Sequence, residues 1–307
     1  MRRGLAVVAW AAALLLCRGA AFAQTQPAGR EESTEQPAQE PGAQQKTVLQ
    51  PQPEAESTKP WYLYGSIDLR SQYFFRGYNQ NSHGYIVQPN AEFGYTVYDN
   101  GTFSLTPFVG TWLNLTQQRG PGSPAHFNEL DYIGGVDLII KEKLTLRFLY
   151  TDYTSPSDAF EDIQELGLNL KYDGLPLGPF EKLNPAVGYY TEIQNKAETE
   201  HAYLEFGVEP TLAEIKLANV PVTLSFPTLL GTSLDTFYTG AGGHNAFWGF
   251  AQAGVKASVP VSVDKKWGEW TLSAEVDYVY LFANSVRAAN TGDDDDVVLV
   301  GSLTYSF

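Results

Sequence analysis

The side chains that could do catalytic chemistry are few and scattered. Histidines stand at positions 83, 126, 201 and 244, and a hydrolase would need one of them as a base beside an oriented nucleophile. The sequence contains neither G-x-S-x-G nor H-E-x-x-H, and the histidine spacing requires no metal site. We therefore expect no enzyme activity and no cofactor.

The N-terminus has the pattern of an export signal. Arg2 and Arg3 precede an apolar run at 4–16, and Ala21-Phe22-Ala23 fits a small-x-small cleavage site. The run is too short to cross a bilayer core of roughly 30 Å as a helix. Cys17 raises the alternative of a lipoprotein signal, but the preceding Leu16 is not small. We expect residues 1–23 to be a cleaved signal peptide.

Composition separates a tail from a folded domain and excludes one class of partner. Residues 24–58 are rich in Gln, Pro and Glu and contain no aromatic residue, which predicts a disordered periplasmic tail. The net charge of −15 argues against nucleic acid, which is itself an anion. No cysteine follows Cys17, so the folded part has no disulfide.

From Trp61 onward apolar and polar residues alternate. In 270–282, WTLSAEVDYVYLF, every even position is apolar and four of the odd positions are polar, which predicts a strand with one apolar and one polar face. Thirteen residues is long for a soluble strand and suits a tilted membrane crossing. The pattern predicts twelve strands, at about 61–75, 84–98, 102–115, 128–140, 143–153, 162–172, 184–194, 200–209, 219–230, 246–259, 269–283 and 295–307.

These strands predict an all-β fold, an antiparallel transmembrane β-barrel over residues 59–307 in the bacterial outer membrane. Connectors after even strands, such as Asp99-Asn100-Gly101, are mostly shorter than the polar ones after odd strands, as in outer-membrane barrels. Aromatic residues at strand ends fit interfacial girdles in contact with lipid. The terminal Phe307 resembles the C-terminal signature of such barrels, which implies recognition by the barrel-assembly machinery. The alternative is a soluble β-sandwich or periplasmic barrel, whose apolar faces point inward.

The polar faces of the predicted strands carry more acids than bases. If the apolar faces meet lipid, the residues lining the lumen are Asp68, Arg70, Phe74, Arg76, Glu92, Glu129, Asp131, Asp137, Arg147, Glu165, Lys171, Glu192, Glu205, Glu275 and Asp277. In a water-filled lumen this excess of carboxylates would favour cations. The alternative is that the charges pair across strands and brace a closed interior. Twelve strands lie between filled and open barrels.

A run of four acids, Asp293, Asp294, Asp295 and Asp296, falls in the last predicted outside loop. Carboxylate oxygens suit hard divalent cations. Four adjacent acids lack the spaced ligands of a calcium loop, however, so this is a weak metal candidate and solvated charge is expected.

The stretch SQYFFRGYNQ, residues 71–80, carries a family resemblance. It resembles the S-D-Y-x-F-R-G-x-S-Q opening of the Gcw-type conserved hypothetical outer-membrane β-barrel family, with matches at Ser71, Tyr73, Phe75, Arg76, Gly77 and Gln80. Gln72 and Asn79 depart from the pattern, and beyond this stretch only the alternation continues. The resemblance implies an outer-membrane barrel and brings no catalytic residues.

Strand parity predicts how this stretch is oriented. Tyr73 and Phe75 are expected to face lipid, while Phe74 and Arg76 face the lumen as a pore rim. The function expected from the whole sequence is a narrow passive channel, porin-like, for small solutes with a weak cation preference. The alternatives are a closed structural or interaction barrel without transport and, third, a surface-exposed outer-membrane enzyme.

Overall fold

The computed structural model describes residues 59–117, 126–157, 160–195, 201–217, 220–239 and 245–307. The predicted signal peptide, the predicted tail and His244 lie outside these ranges. The strands, in chain order, are β1 (Trp61–Arg70), β2 (Tyr73–Phe75), β3 (Tyr78–Asn81), β4 (Ile86–Tyr95), β5 (Tyr98–Asp99), β6 (Phe103–Thr116), β7 (Phe127–Ile140), β8 (Leu144–Thr154), β9 (Ile163–Tyr172), β10 (Phe180–Lys182), β11 (Ala186–Asn195), β12 (Ala202–Val208), β13 (Thr211–Leu212), β14 (Ile215–Leu217), β15 (Val220–Ser225), β16 (Thr228–Ser233), β17 (Trp248–Val261), β18 (Glu269–Leu281) and β19 (Asp295–Ser306). A 3-10 turn spans Lys265–Trp267, and one helix, α1, spans Asn284–Ala289.

The sheet closes on itself as an antiparallel barrel of twelve strands, as predicted. The first strand, β1, pairs with β4 on one side and with the last strand, β19, on the other, so the sheet has no free edge at this seam. Segments β15 and β16 form one interrupted strand, because both pair with β17. No helix in the described part of the chain is long and apolar enough to cross a membrane.

The alternation of side chains sets the two faces of the wall. In β7, Asp131 is 0% exposed while its neighbour Tyr132 is 54% exposed. The same alternation in β18 exposes Leu272 and Val276 and buries Ser273 and Asp277. Apolar side chains thus face outward and polar ones inward, the reverse of a soluble barrel and the arrangement expected in lipid.

Glycines on the inner face let aromatic rings lie flat against the wall. A Cβ at Gly135 would come within 2.1 Å of the carbonyl oxygen of Phe148 and 2.6 Å of the Phe108 ring. A Cβ at Gly231 would meet the ring of Phe250 at 2.4 Å. Real Cβ atoms do not approach so closely, so the interior rings depend on these glycines.

Three predicted segments differ from the structure. The strand predicted at 219–230 is broken at Pro227, which has no N–H for the ladder; its carbonyl accepts a hydrogen bond from Gly254 N at 2.8 Å. The connector predicted at 284–294 contains α1, whose Val286 is buried. The first strand, predicted to reach residue 75, ends at Arg70, and β2 and β3 form a separate two-stranded hairpin.

The two ends of the barrel differ in their connections. The end where β1 finishes at Arg70 carries most of the longer connections, and we call it the outer end by the rule that outside loops are longer. Trp61 and Phe307 mark the inner end, where their rings stack at 5.3 Å and Lys59 Nζ lies 3.5 Å from the Phe307 ring centroid. Recognition of Phe307 by the assembly machinery stays a prediction.

Candidate functional site

The hairpin of β2 and β3, which we call the inward hairpin (residues 73–81), lies inside the outer end of the barrel. The ring of Tyr73 lies 5.6 Å from that of Trp112 on β6, and the ring of Phe75 lies 6.4 Å from that of Tyr153 on β8. Gly77 packs against Phe250 on β17, whose side chain a Cβ at Gly77 would meet at 3.1 Å. The hairpin therefore touches widely separated parts of the wall.

The expected lipid-facing orientation of Tyr73 and Phe75 is wrong, because both are buried, at 1% and 4% exposure. Parity along a strand holds only while the strand continues, and the ladder breaks after Arg70. Phe74 is buried in the interior as expected for a lumen residue. Arg76 lies there too, but it belongs to a hairpin that fills the lumen and not to a pore rim.

The turn of the inward hairpin has an uncommon residue in a left-handed conformation. Phe75 pairs with Tyr78, and the two residues between them, Arg76 and Gly77, have φ of 47° and 89°. A two-residue hairpin of this kind requires positive φ at both positions and is usually made by Asn-Gly or Gly-Gly. Arginine there is strained, since a left-handed non-glycine residue costs roughly 1–2 kcal/mol.

The Arg76 side chain is held by a carboxylate and a set of aromatic rings, which we call the guanidinium cage (Glu165, Tyr190, Tyr203 and Phe237). Arg76 donates two hydrogen bonds to Glu165, at 2.7 and 2.9 Å. Its guanidinium carbon lies 4.7, 4.4 and 5.5 Å from the ring centroids of Tyr190, Tyr203 and Phe237. The planar cation is thus paired bidentately and enclosed by π faces, the geometry in which arginine binds most strongly.

Loops at the outer end fasten the inward hairpin from above. Tyr238 donates its hydroxyl proton to the carbonyl oxygen of Arg76 at 2.9 Å, and Tyr78 donates to the carbonyl oxygen of Phe237 at 3.0 Å. Asn79 donates to the Asn290 side chain, just after α1, at 2.9 Å. The loops after β16 and β18 therefore close over the hairpin.

Tyrosine hydroxyls donate hydrogen bonds to the carboxylates around the hairpin. Tyr153 donates to Glu165 at 2.9 Å, and Tyr190 and Tyr203 donate to the two oxygens of Glu205, each at 3.2 Å. Buried carboxylates need such donors, because a buried charge without hydrogen bonds is costly. The outer lumen is thus a packed layer of aromatic and acidic side chains.

Strand register places the remaining predicted lumen residues on the inward face, at two levels. Those at the level of the hairpin are Glu129, Asp131, Glu165, Glu192 and Glu205; those toward the inner end or along the β1–β19 seam are Asp68, Arg70, Glu92, Asp137, Arg147, Lys171, Glu275 and Asp277. Whether they line a conducting path stays a prediction.

Arg147 braces the wall below the hairpin. It donates to both oxygens of Asp137 at 2.7 Å and to those of Glu92 at 2.8 and 3.1 Å. Its guanidinium carbon lies 3.9 Å from the centroid of Phe108, and Tyr62 also donates to Glu92, at 2.7 Å. These contacts link β1, β4, β6, β7 and β8, so one cation joins five neighbouring strands.

A second charged group, formed by Lys256 on β17 and Glu209 after β12, is more open than the Arg147 network. Lys256 Nζ lies 3.8 Å from Glu209, and the two side chains are 22% and 21% exposed. Arg70 and Asp68, near the outer end of β1, form a loose pair at 3.8 Å with similar exposure. The lumen therefore keeps charged side chains outside the hairpin that solvent can reach.

The histidines and the acidic run hold no metal site in the described residues, where no three His, Cys, Asp or Glu side chains are placed to bind one. The placement of the whole acidic run in the outside loop is wrong, because Asp295 and Asp296 begin β19. Asp295 accepts a hydrogen bond from Tyr278 and Asp296 one from Gln72, each at 2.6 Å. His201 packs beside Asp235 and Thr236 of the loop after β16, and burial lowers the pKa of His201 although Asp235 raises it.

Sequence reasoning did not identify three cage residues. Tyr190 and Tyr203 occupy inward positions, so an aromatic residue on a polar face was the available signal. Phe237 follows β16 in a loop without periodicity, where no pattern marks it.

The closed barrel with an apolar exterior defines the chain as an outer-membrane β-barrel protein, since every backbone polar group of a closed sheet is satisfied within lipid. No protein-family model matches the chain, and no curated protein matches it either.

Solved structures with a similar chain path include other outer-membrane barrels. The COG4313 outer membrane channel from Pseudomonas putida F1 aligns with a TM-score of 0.48 and 9% identity, over 82% of this chain and 97% of that one. The β domain of the Bordetella autotransporter BrkA aligns with a TM-score of 0.43 and 11% identity, over 81% and 100%. The NanC porin aligns with a TM-score of 0.39 and 11% identity, over 78% and 98%. Such distant likenesses say nothing about function.

Proposed function

We propose that the protein is a narrow outer-membrane channel for small solutes, closed at its outer end by the inward hairpin in the conformation described. The observation that carries the proposal is the difference between the two halves of the lumen. The outer half is filled by a separate segment, the inward hairpin, whereas Lys256 and Glu209, farther toward the inner end, remain 22% and 21% exposed.

The charges on the inner face support a cation preference for this channel. Glu275 and Asp277 follow one another along the inward face of β18, and register places Glu275 opposite Lys256 of β17. Acids exceed bases among the inward charged positions of the described strands. A path lined in this way lowers the barrier for positive ions.

Conductance in a planar bilayer tests the proposal. The wild-type protein is compared with a variant in which residues 73–81 are replaced by a short Gly-Ser linker. We expect the wild type to stay mostly closed and the shortened variant to conduct, because the plugging side chains have gone. Reversal potentials in a salt gradient should show a preference for cations.

A matched pair of substitutions in the shortened variant tests the lining. Asp277→Asn removes a lumen carboxylate and should lower the cation preference, whereas Glu181→Gln, exposed on the short strand β10 at the inner end, should leave it unchanged. A shortened variant that folds but passes no current would refute the channel.

The second candidate is a closed structural or interaction barrel. The observation in its favour is that the hairpin is fastened on several sides, by Glu165, Tyr238 and Asn290 among others. That candidate predicts no current from either protein and a large loss of stability on shortening the hairpin. Activity as a surface enzyme is not part of this proposal.

A further inference from the structure

The guanidinium cage has the features of a binding site for an organic cation. Glu165 offers a two-oxygen edge that Arg76 engages at 2.7 and 2.9 Å, and the rings of Tyr190, Tyr203 and Phe237 surround the cation within 6 Å. These four residues come from β9, β11, β12 and the loop after β16, so the barrel and its loop assemble the cage. The hairpin supplies the occupant and one further ring, that of Phe75, 4.7 Å from the guanidinium carbon.

The occupant is unusual for its place in the chain. Arg76 stands at a left-handed turn position that Asn or Gly would fill without strain, so the turn itself gives no reason for an arginine. The side chain is almost fully buried, and the cage together with the ring of Phe75 offsets the cost of desolvation. Arg76 therefore behaves as a ligand carried on a loop.

We propose that the guanidinium cage is a binding site for small organic cations bearing a guanidinium group, and that Arg76 occupies it as a tethered mimic while the barrel is closed. The planar fork of a guanidinium matches the Glu165 carboxylate and stacks on the rings, which a spherical ammonium or metal ion does less well. The inference rests on the proposed channel and names the solute class that its outer end recognises.

The tether explains why the closed state persists. A covalently attached Arg76 competes at an effective concentration in the millimolar range or above, so a free cation displaces it only when abundant. Displacement removes one contact that holds the turn of the hairpin to the wall, the ion pair of Arg76 with Glu165, and leaves the hydrogen bond from Tyr238 to the Arg76 carbonyl.

The test empties the cage without disturbing the turn. In Arg76→Asn the new residue still favours the left-handed conformation, but its side chain is too short to reach Glu165 as Arg76 does. The purified variant in detergent is titrated with methylguanidinium chloride at millimolar concentration, and its thermal unfolding is followed by heat-modifiable mobility and circular dichroism. We expect a saturable rise in melting temperature of about 3–6 °C, as a ligand near ten times its dissociation constant gives.

Matched controls show whether the rise in melting temperature results from binding in the cage. Urea, a neutral isostere, should give no rise, and wild-type protein should respond little because its cage is occupied. Tyr190→Leu in the Arg76→Asn background should abolish the effect, whereas Tyr189→Leu, on the outward face of the same strand, should preserve it. Glu165→Gln in that background should also abolish it.

The outcomes separate this inference from the channel proposal. A folded Arg76→Asn barrel without a methylguanidinium-dependent rise, or an equal rise without Glu165, would overturn the cage as a site. If Arg76→Asn does not fold by itself, the measurement becomes whether methylguanidinium restores folding. If methylguanidinium restores folding in neither Arg76→Asn nor Arg76→Gly, the cage is not a binding site. If methylguanidinium binds the cage but the shortened barrel passes no current, the binding site is supported and the channel proposal is refuted.

Discussion

Replacing Glu165 by Gln removes the charge that Arg76 faces while keeping the size of the side chain. The pair is buried and bidentate, and loss of one partner from such a pair costs about 3–5 kcal/mol, because the other charge is left without its counterion. The rings of Tyr190 and Tyr203 still face the cation, so we expect the lower end, about 3 kcal/mol. At roughly 2–4 °C per kcal/mol, the melting temperature should fall by about 6–12 °C.

Urea unfolding of the barrel in lipid vesicles measures this loss as a free energy, with circular dichroism as the signal. The Arg76→Asn, Glu165→Gln and double variants complete a thermodynamic cycle, and the two losses should not add. Asp264→Asn is the control, because Asp264 pairs with Lys266 on an exposed turn and should not change the midpoint. A Glu165→Gln midpoint equal to wild type would refute the view that this pair fastens the hairpin.

Two further predictions concern the inner brace and the outer loop. Arg147→Met leaves the carboxylates of Glu92 and Asp137 close together without the cation that joins them. Because Arg147 is 15% exposed, we expect a loss of stability at the lower end of the range for a buried pair, about 3 kcal/mol. Urea midpoints measure this loss, and equal midpoints would contradict the bracing. The lowered pKa of His201 means that unfolding takes up a proton, so stability should fall as pH drops through about 6.5. Comparing melting temperatures of wild type and His201→Gln across that range isolates the effect, and parallel curves would count against it.

The barrel strands were predictable because each crossing repeats one physical demand, an apolar side toward lipid and a polar side inward. That demand also placed residues such as Glu92, Arg147 and Asp277 on the inner face from parity alone. Breaks within strands were harder to place. The break at Pro227 does not change the hydrophobic pattern, and proline alone does not mark a break, because β6 continues through Pro107.

The inward hairpin could not be predicted by the same reasoning. Parity carried past Arg70 put Tyr73 and Phe75 on the wrong side, since a strand that ends and folds back no longer alternates against lipid. The partners that hold Arg76 are distant in sequence: Glu165 lies 89 positions and Tyr238 lies 162 positions farther along the chain. Such contacts arise from closure of the barrel, which no local pattern encodes.

Amide hydrogen exchange of the unmodified protein tests the central claim most directly, that the inward hairpin fills the outer lumen. Residues 73–81 are buried and paired, whereas the turn at Asn100 and Gly101 is exposed, so the two segments give an internal comparison. We predict that the hairpin amides exchange far more slowly than those of the turn, because exchange requires the hairpin to leave the barrel. Hairpin amides that exchange as fast as the exposed turn would contradict a closed outer end.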